Sequence, residues 1–361
     1  MTNLHQVSIE IIRQGQADSG GYVASPTFSQ YGFSWLRDGT WTAYAMQLVG
    51  EHASAAAFYR WAGATLMRYE AEVEALLKKL AAGEALVETD FLPTRFHLDG
   101  RMGLDDWPNF QLDGYGTWLW GLVKAVEGGV IDAAGWQALR PAAALTVRYV
   151  GALWQFPNYD CWEEHRDHIH PATLSALYGG LMALRSLDPS LVDAVLPAAI
   201  RAFVMQQCVA EQGHFMKFLG NSEVDASLLW TAVPYGLVTV TDPVFQATLA
   251  KIERDLHVPA GGVYRYAADT YFGGGEWLLL AAWLGWAYVE LGRHAEAEQI
   301  YHWIENQALP NGEMPEQVAT HVLDASYLPY WEARWGTSAC PLLWSHAMYL
   351  ILGSRLQEVR S

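Results

Sequence analysis

Apolar positions along this chain recur every three to four residues in block after block and almost never alternate singly, so the pattern predicts helices and hardly any strand. Twelve helices are expected, over 3–14, 36–50, 53–80, 110–126, 132–153, 172–187, 189–209, 222–234, 243–256, 276–291, 293–307 and 338–356. The links between them fall into two classes. Those around Glu51, 127–131, Asp188 and Gly292 are short, as connectors of antiparallel helices are. The others, 15–35, 81–109, 154–171, 212–221, 257–275 and 308–337, are long. Antiparallel helices joined alternately by long and short links place every long link at one end of the assembly. Six helical hairpins of this kind can close into a ring of inner helices wrapped by outer ones, with one face built from the long links. An open helical-repeat array would also show helix pairs, but it would carry a recurring residue signature, and none is found. No Pro- or Gly-rich linker divides the chain, so 1–361 reads as one all-α domain.

Composition adds one anomaly. With 52% hydrophobic and 17% charged residues the chain can bury a large core, yet its 17 Trp and 18 Tyr exceed what that core needs. Some of these rings are expected to line a groove, where flat aromatic faces stack on the C–H faces of sugars. A net charge of -17 argues against nucleic acid or an anionic membrane surface as partner and favours a neutral or cationic small ligand. No apolar run is long enough to cross a bilayer, and the first residues, MTNLHQVSIEIIRQ, lack the basic and apolar regions of a signal peptide. Cys161, Cys208 and Cys340 are odd in number and far apart, which suits a reducing compartment and a cytoplasmic location.

The long links hold the candidate chemistry. The third carries NYDCWEEHRDHIH at 158–170, where Glu163 and Glu164 follow Trp162. A Glu pair is usually a solvated helix face. Here a large ring strips water from one carboxylate and a second carboxylate repels its charge, and both effects raise a pKa, as a general acid requires. Asp160, Cys161, His165, His168 and His170 are potential metal ligands, but their spacing matches no standard zinc pattern, so neither a metal nor another cofactor is expected. The first link ends in YGFSWLRDG, bringing Tyr31, Trp35, Arg37 and Asp38 to the start of the second helix. Asp38 could simply cap that helix, while an Arg-Asp pair beside rings could grip vicinal hydroxyls. Trp107, in the second link, is either a core ring or a sugar platform. The fifth link offers Arg265, Asp269, Tyr271 and Trp277 among glycines. In the sixth, Pro315 stiffens the backbone just before Glu316, which could then be aimed at a water, with Glu313 as its competitor.

Taken together, WLRD at 35–38, FQLDGYG at 110–116, YDCWEE at 159–164, RYAADTYFGGGEW at 265–277, PEQ at 315–317 and SACPLLWSHA at 338–347 resemble glycoside hydrolase family 15, the glucoamylase and glucodextranase family, in the family's own order. The resemblance implies an (α/α)6 barrel. It also implies that Glu163 is the general acid and Glu316 the general base. Tyr31 aligns with a tyrosine near the developing cation, Trp107 with a ring beside the next sugar, and Glu164 with a residue on the leaving-group side. Trp35, Arg37, Asp38, Trp162, Arg265 and Trp277 fall where relatives grip the terminal glucose, and Gln317 is counted with these sugar-binding positions. Cys161 departs from the larger apolar residue common in relatives. The chain also shows neither the β-sandwich that precedes the barrel in many bacterial relatives nor a starch-binding module, so the expected substrate is a short soluble α-gluco-oligosaccharide. The expected reaction is exo-hydrolysis with inversion, the two carboxyls standing roughly 6.5–9.5 Å apart. Isomaltose- or maltose-type bonds are favoured over the α,α-1,1 bond of trehalose. A silent sugar-binding protein would not need both carboxylates, and a prenyl-transferring helical toroid would need a zinc or aspartate-rich site that is not evident.

Overall fold

The computed structural model describes residues 4–103 and 107–360. Asn3, at the start of the first expected helix, and the LDD at 104–106 of the second long link lie outside the described residues. Among the described residues there are thirteen α-helices: α1 Leu4–Gln14, α2 Leu36–Leu48, α3 His52–Arg68, α4 Glu70–Ala81, α5 Asp113–Glu127, α6 Ala133–Leu153, α7 Pro171–Leu187, α8 Val195–Gln207, α9 Pro243–Asp255, α10 Leu278–Glu290, α11 His294–Asn306, α12 Leu328–Trp335 and α13 Leu343–Glu358.

Six elements make a closed inner ring. α2 packs on α5, α5 on α7, α7 on the 3-10 stretch Ala226–Thr231, that stretch on α10, α10 on α13, and α13 back on α2. Burial follows from this placement. α10 has neighbours on every side, and every residue from Leu278 to Val289 is buried. α9, outside the ring, buries one stripe: Phe245, Thr248, Leu249 and Ile252. An all-round apolar sequence belongs inside, and a stripe spaced at helical period belongs against the ring. α5 and α7 approach so closely that a Cβ on Gly180 would lie 2.2 Å from the Gly116 carbonyl oxygen, so neither position tolerates a side chain. The fold is therefore the (α/α)6 barrel, and no helix among the described residues is long and apolar enough to cross a membrane.

Four differences from the expected helices stand out. The 53–80 segment breaks at Tyr69, whose hydroxyl is drawn to the second link, donating to Gly100 O (3.1 Å) and accepting from Met102 N (2.8 Å). α8 starts at Val195 rather than 189, because Asp188 and Asp193 accept the backbone N–H groups of Ser190 and Val195 and hold a turn there. The 222–234 helix shrinks to Ala226–Thr231. Asp225 caps it from below, accepting from Ser227 N, and Pro234 has no N–H with which to extend it. α12 was not expected at all, since it lies within the sixth long link.

Two short antiparallel ladders tie the long links together. β1 (Ser34–Trp35) pairs with β2 (Arg95–Phe96), and β3 (Glu276–Trp277) pairs with β4 (Gln317–Val318). They join the first link to the second and the fifth to the sixth. Of the residues expected to be helical, 276–277 form β3 and 338–342 are irregular, and both stretches lie at the loop end of the ring.

Candidate active site

The long links surround a cavity of about 310 Å³ lined by Tyr31, Trp35, Arg37, Asp38, Trp107, Cys161, Trp162, Glu163, Glu164, Arg265, Tyr271, Trp277, Glu316 and, at its mouth, Trp331, Arg334 and Trp335. Of the residues given catalytic or sugar-binding roles by the resemblance, Gln317 is off this wall, and Asp269 and, Cys161 excepted, the third-link residues singled out as possible metal ligands do not line it. Gln317 pairs with Trp277 across β3 and β4, and its side-chain oxygen accepts Gly275 N at 2.9 Å, so it braces the fifth link from behind. Glu313 is not on the wall either.

Glu163 sits on a tight turn written by its neighbours. Asp160 Oδ1 accepts both Trp162 N (3.0 Å) and Glu164 N (2.9 Å), and Glu163 N donates to Asp160 O (3.0 Å). That closure forces Glu163 to φ +68°, a left-handed conformation costing a non-glycine residue roughly 1–3 kcal/mol. The strain aims its carboxyl at Trp35, whose indole N–H donates to Oε1 at 2.6 Å. Burial raises the Glu163 pKa, and Arg37, the Trp35 indole and Gln111 oppose the rise. A carboxyl lifted in this way can hold a proton and release it to a leaving oxygen.

Glu316 is 2% exposed. Its carboxyl accepts from the hydroxyls of Tyr31 (3.0 Å) and Ser338 (3.2 Å), and Tyr31 is also hydrogen-bonded to the Tyr271 hydroxyl at 3.0 Å. Burial pushes its pKa up to about 7, against the lowering effect of those hydroxyls and of Arg265. A carboxylate titrating there is a stronger proton acceptor than an ordinary glutamate. The two carboxyls are bonded to different rings, Trp35 and Tyr31, whose centroids lie 5.8 Å apart edge to face.

Around these two, cations are held rigidly by anions. Arg265 forks onto Asp269 at 2.7 and 2.5 Å and reaches Glu164 Oε1 at 3.2 Å, and Tyr266 donates to the other Glu164 oxygen. Arg37 donates to Gln111 (3.0 Å) and Asp113 (3.2 Å) and lies 3.2 Å from Asp38 Oδ2 without hydrogen-bond alignment. Burial lifts Asp38 to about 6, with Arg37 opposing. Asp38 Oδ2 and the indole N–H groups of Trp277, Trp107 and Trp344 have no hydrogen-bond partner among the described residues, although all four residues line the cavity. Buried polar atoms are satisfied by something, and hydroxyl groups of a bound sugar match this mixture of acceptor and donors. Trp162 offers its face while its N–H is taken by both oxygens of Asp225 at 3.0 Å, and Asp225 is paired with the buried Lys217 at 2.8 Å.

The histidines of the third link do other work. His170, whose pKa burial lowers to about 4, holds the carbonyls of Asn158 (2.9 Å) and His165 (3.1 Å), and His168 stacks on Phe218 at 4.0 Å. Asp160, Glu164 and His165 could place one ligand atom each within 4.8 Å of the others. Both oxygens of Glu164 and one of Asp160 are already committed to the hydrogen bonds above. The sequence reading missed the mouth of the cavity. Trp331 and Trp335, four residues apart on α12, pack against each other at a tilt with ring centroids 5.0 Å apart, and Trp331 Nε1 donates to Thr270 O (2.8 Å). Two tryptophans at helical spacing in a polar link were the available signal. Trp344 and Asp225 were likewise not singled out, the latter because nothing local distinguishes it.

The chain is similar to known proteins along its whole length. It is 43% identical over 366 residues to an isomaltose glucohydrolase of Kribbella flavida, covering 99% of this chain and 94% of that one. A solved glycosidase variant in complex with glucose superposes with a TM-score of 0.92 at 42% identity, covering 98% of this chain and 97% of that one. A bacterial glucoamylase complexed with acarbose shares the fold, with a TM-score of 0.74 at 19% identity, covering 98% of this chain and 55% of that one. Residues 3–354 match glycosyl hydrolases family 15, so the chain belongs to that family and is a glycoside hydrolase.

Proposed function

We propose that this chain is an exo-acting α-glucosidase, one catalytic domain that releases β-glucose with inversion from the non-reducing end of short α-gluco-oligosaccharides, isomaltose-type before maltose-type. One observation carries the reading. Two carboxyls with raised pKa stand on the wall of a single small cavity, each bonded to a different ring rather than to each other. Glu163, protonated, donates to the glycosidic oxygen as the bond stretches. Glu316, ionised, removes a proton from a water that attacks the anomeric carbon from the opposite face. Arg37, Asp38, Arg265, Trp35, Trp162 and Trp277 hold the terminal glucose, Tyr31 lies beside the anomeric carbon, and Trp107 and Glu164 meet the leaving sugar. The preference for isomaltose is supported by the name and similarity of the Kribbella flavida relative. A cytoplasmic location, read from three unpaired cysteines, belongs to the same proposal.

NMR of fresh hydrolysate tests it. Isomaltose, maltose and trehalose are incubated separately with the protein, and the β-anomer of glucose is expected first and fastest from isomaltose. The α-anomer appearing first would replace inversion with retention, and trehalose as the best substrate would move the enzyme to the α,α-1,1 class.

A further inference from the structure

We infer that His346 is a positioning residue for the Glu316 carboxylate, acting through the backbone of residues 314–316. The inference rests on the assignment of Glu316 as general base. This three-residue stretch has only two backbone donors, because Pro315 has no N–H. Glu316 N donates to Ala339 O at 2.8 Å, and Met314 N donates to His346 Nε2 at 3.0 Å. Its carbonyls are held from the same side. Leu342 N reaches Met314 O at 2.9 Å, and Ser345 Oγ reaches Pro315 O at 2.8 Å. Every one of these partners lies in or just before the first turn of α13, and His346 alone among them does so with a ring whose protonation state matters.

That state is dictated by its contacts. Nε2 accepts from Met314, so it carries no hydrogen, and a neutral imidazole must then carry its hydrogen on Nδ1. Nδ1 accordingly donates to Ser8 Oγ of α1 at 3.0 Å. His346 and Ser8 are both fully buried, and burial lowers the imidazole pKa to about 3, so the ring remains neutral at any working pH. The first and last helices thus share one imidazole between them, and the base-bearing loop hangs from its free lone pair. Misplacing a reacting group by about 1 Å costs on the order of 100-fold in rate, so the aim of Glu316 depends on this support.

Side chains of known shape test it. Gln keeps an acceptor oxygen near the position of Nε2. Asn carries its amide near Nδ1 and leaves Met314 N unpaired, and Leu removes both contacts. Expected for His346→Asn and His346→Leu is a fall in kcat of roughly 10- to 100-fold with KM within about twofold, most of it recovered in His346→Gln. The acid limb of the kcat/KM profile, set by Glu316, should shift in His346→Asn and return in His346→Gln. A folded Asn variant with wild-type kcat, or a folded Gln variant as impaired as Leu, overturns the inference. If none of the three folds, Ser8→Ala decides, with a several-fold fall in kcat at unchanged KM expected and wild-type kcat overturning. Glu316→Gln is run alongside: activity surviving there removes the base assignment itself, whereas an inactive Glu316→Gln beside fully active His346 variants removes only the role of His346.

Discussion

The two segments that carry the paired carboxyls are built on opposite plans. The turn bearing Glu163 is largely self-sufficient: Asp160 holds Trp162 and Glu164, His170 holds Asn158 and His165, and Asn158 N donates to His168 O, all between residues 158 and 170. It is braced from a distance behind Trp162 by the Asp225–Lys217 pair, while its carboxyls meet Trp35, Arg265 and Tyr266. The loop bearing Glu316 makes its key contacts far away in sequence, to Tyr31, Ser338, Ala339, Leu342, Ser345 and His346, with Ser8 behind. One carboxyl is aimed by local turn chemistry, the other by closure of the sixth hairpin onto the first.

That contrast can be attacked in order of expected effect. Glu163→Gln and Glu316→Gln should each lower kcat on isomaltose by about 10²–10⁴-fold with the circular dichroism unchanged, since each removes one partner in proton transfer. Lys217→Met leaves Asp225 buried and unpaired and should cost about 3–5 kcal/mol in urea unfolding, more than any change within the 158–170 turn itself. If it costs nothing, the acid segment needs no distant brace.

Glu316 also links activity and stability to pH. Its folded pKa, about 7, lies above the ordinary 4.5, so the folded state prefers the protonated form. The stability contributed by this group is therefore fully present below pH 4.5 and is lost as pH rises through 7, a difference on the order of 3 kcal/mol by pH 8. Glu316→Gln should recover that amount at pH 8, seen as a higher Tm, and the advantage should vanish as pH falls to 4.5. In the wild type the same titration should make kcat/KM fall tenfold per pH unit below about 7. The smallest effect is expected at Asp160. Burial pushes its pKa up to about 8, so at pH 7 it is mostly protonated, and Asn preserves the accepting oxygen. Asp160→Asn should change stability by under about 1 kcal/mol, and a larger loss would show that the turn needs the charge.

The ring of hairpins was legible because its cues are local. A 3.6-residue apolar period and the alternation of long with short links are both written in neighbouring residues. The misses occurred where distant groups overrode that period. At Tyr69 a second link captured the hydroxyl. At 222–234 an inner position is filled by a short 3-10 stretch, capped by Asp225 and ended before Pro234, and packed between α7 and α10. The acid candidate was drawn from the crowding of Glu163 and Glu164 beside Trp162. Glu316 was marked only by Pro315 and by resemblance, and Gln317 was misjudged because period-two alternation in β4 turns it away from the wall that Glu316 faces.

Sequence alone thus determined which segments are mostly helical and which end of the ring carries the long links, since both are written in residues a few positions apart. Tertiary structure decided the protonation of Glu316, the tautomer of His346 and the mouth formed by α12. Each of those depends on desolvation and hydrogen-bond partners supplied by residues up to 338 positions away, and the free energy of such contacts exists only once the ring has closed.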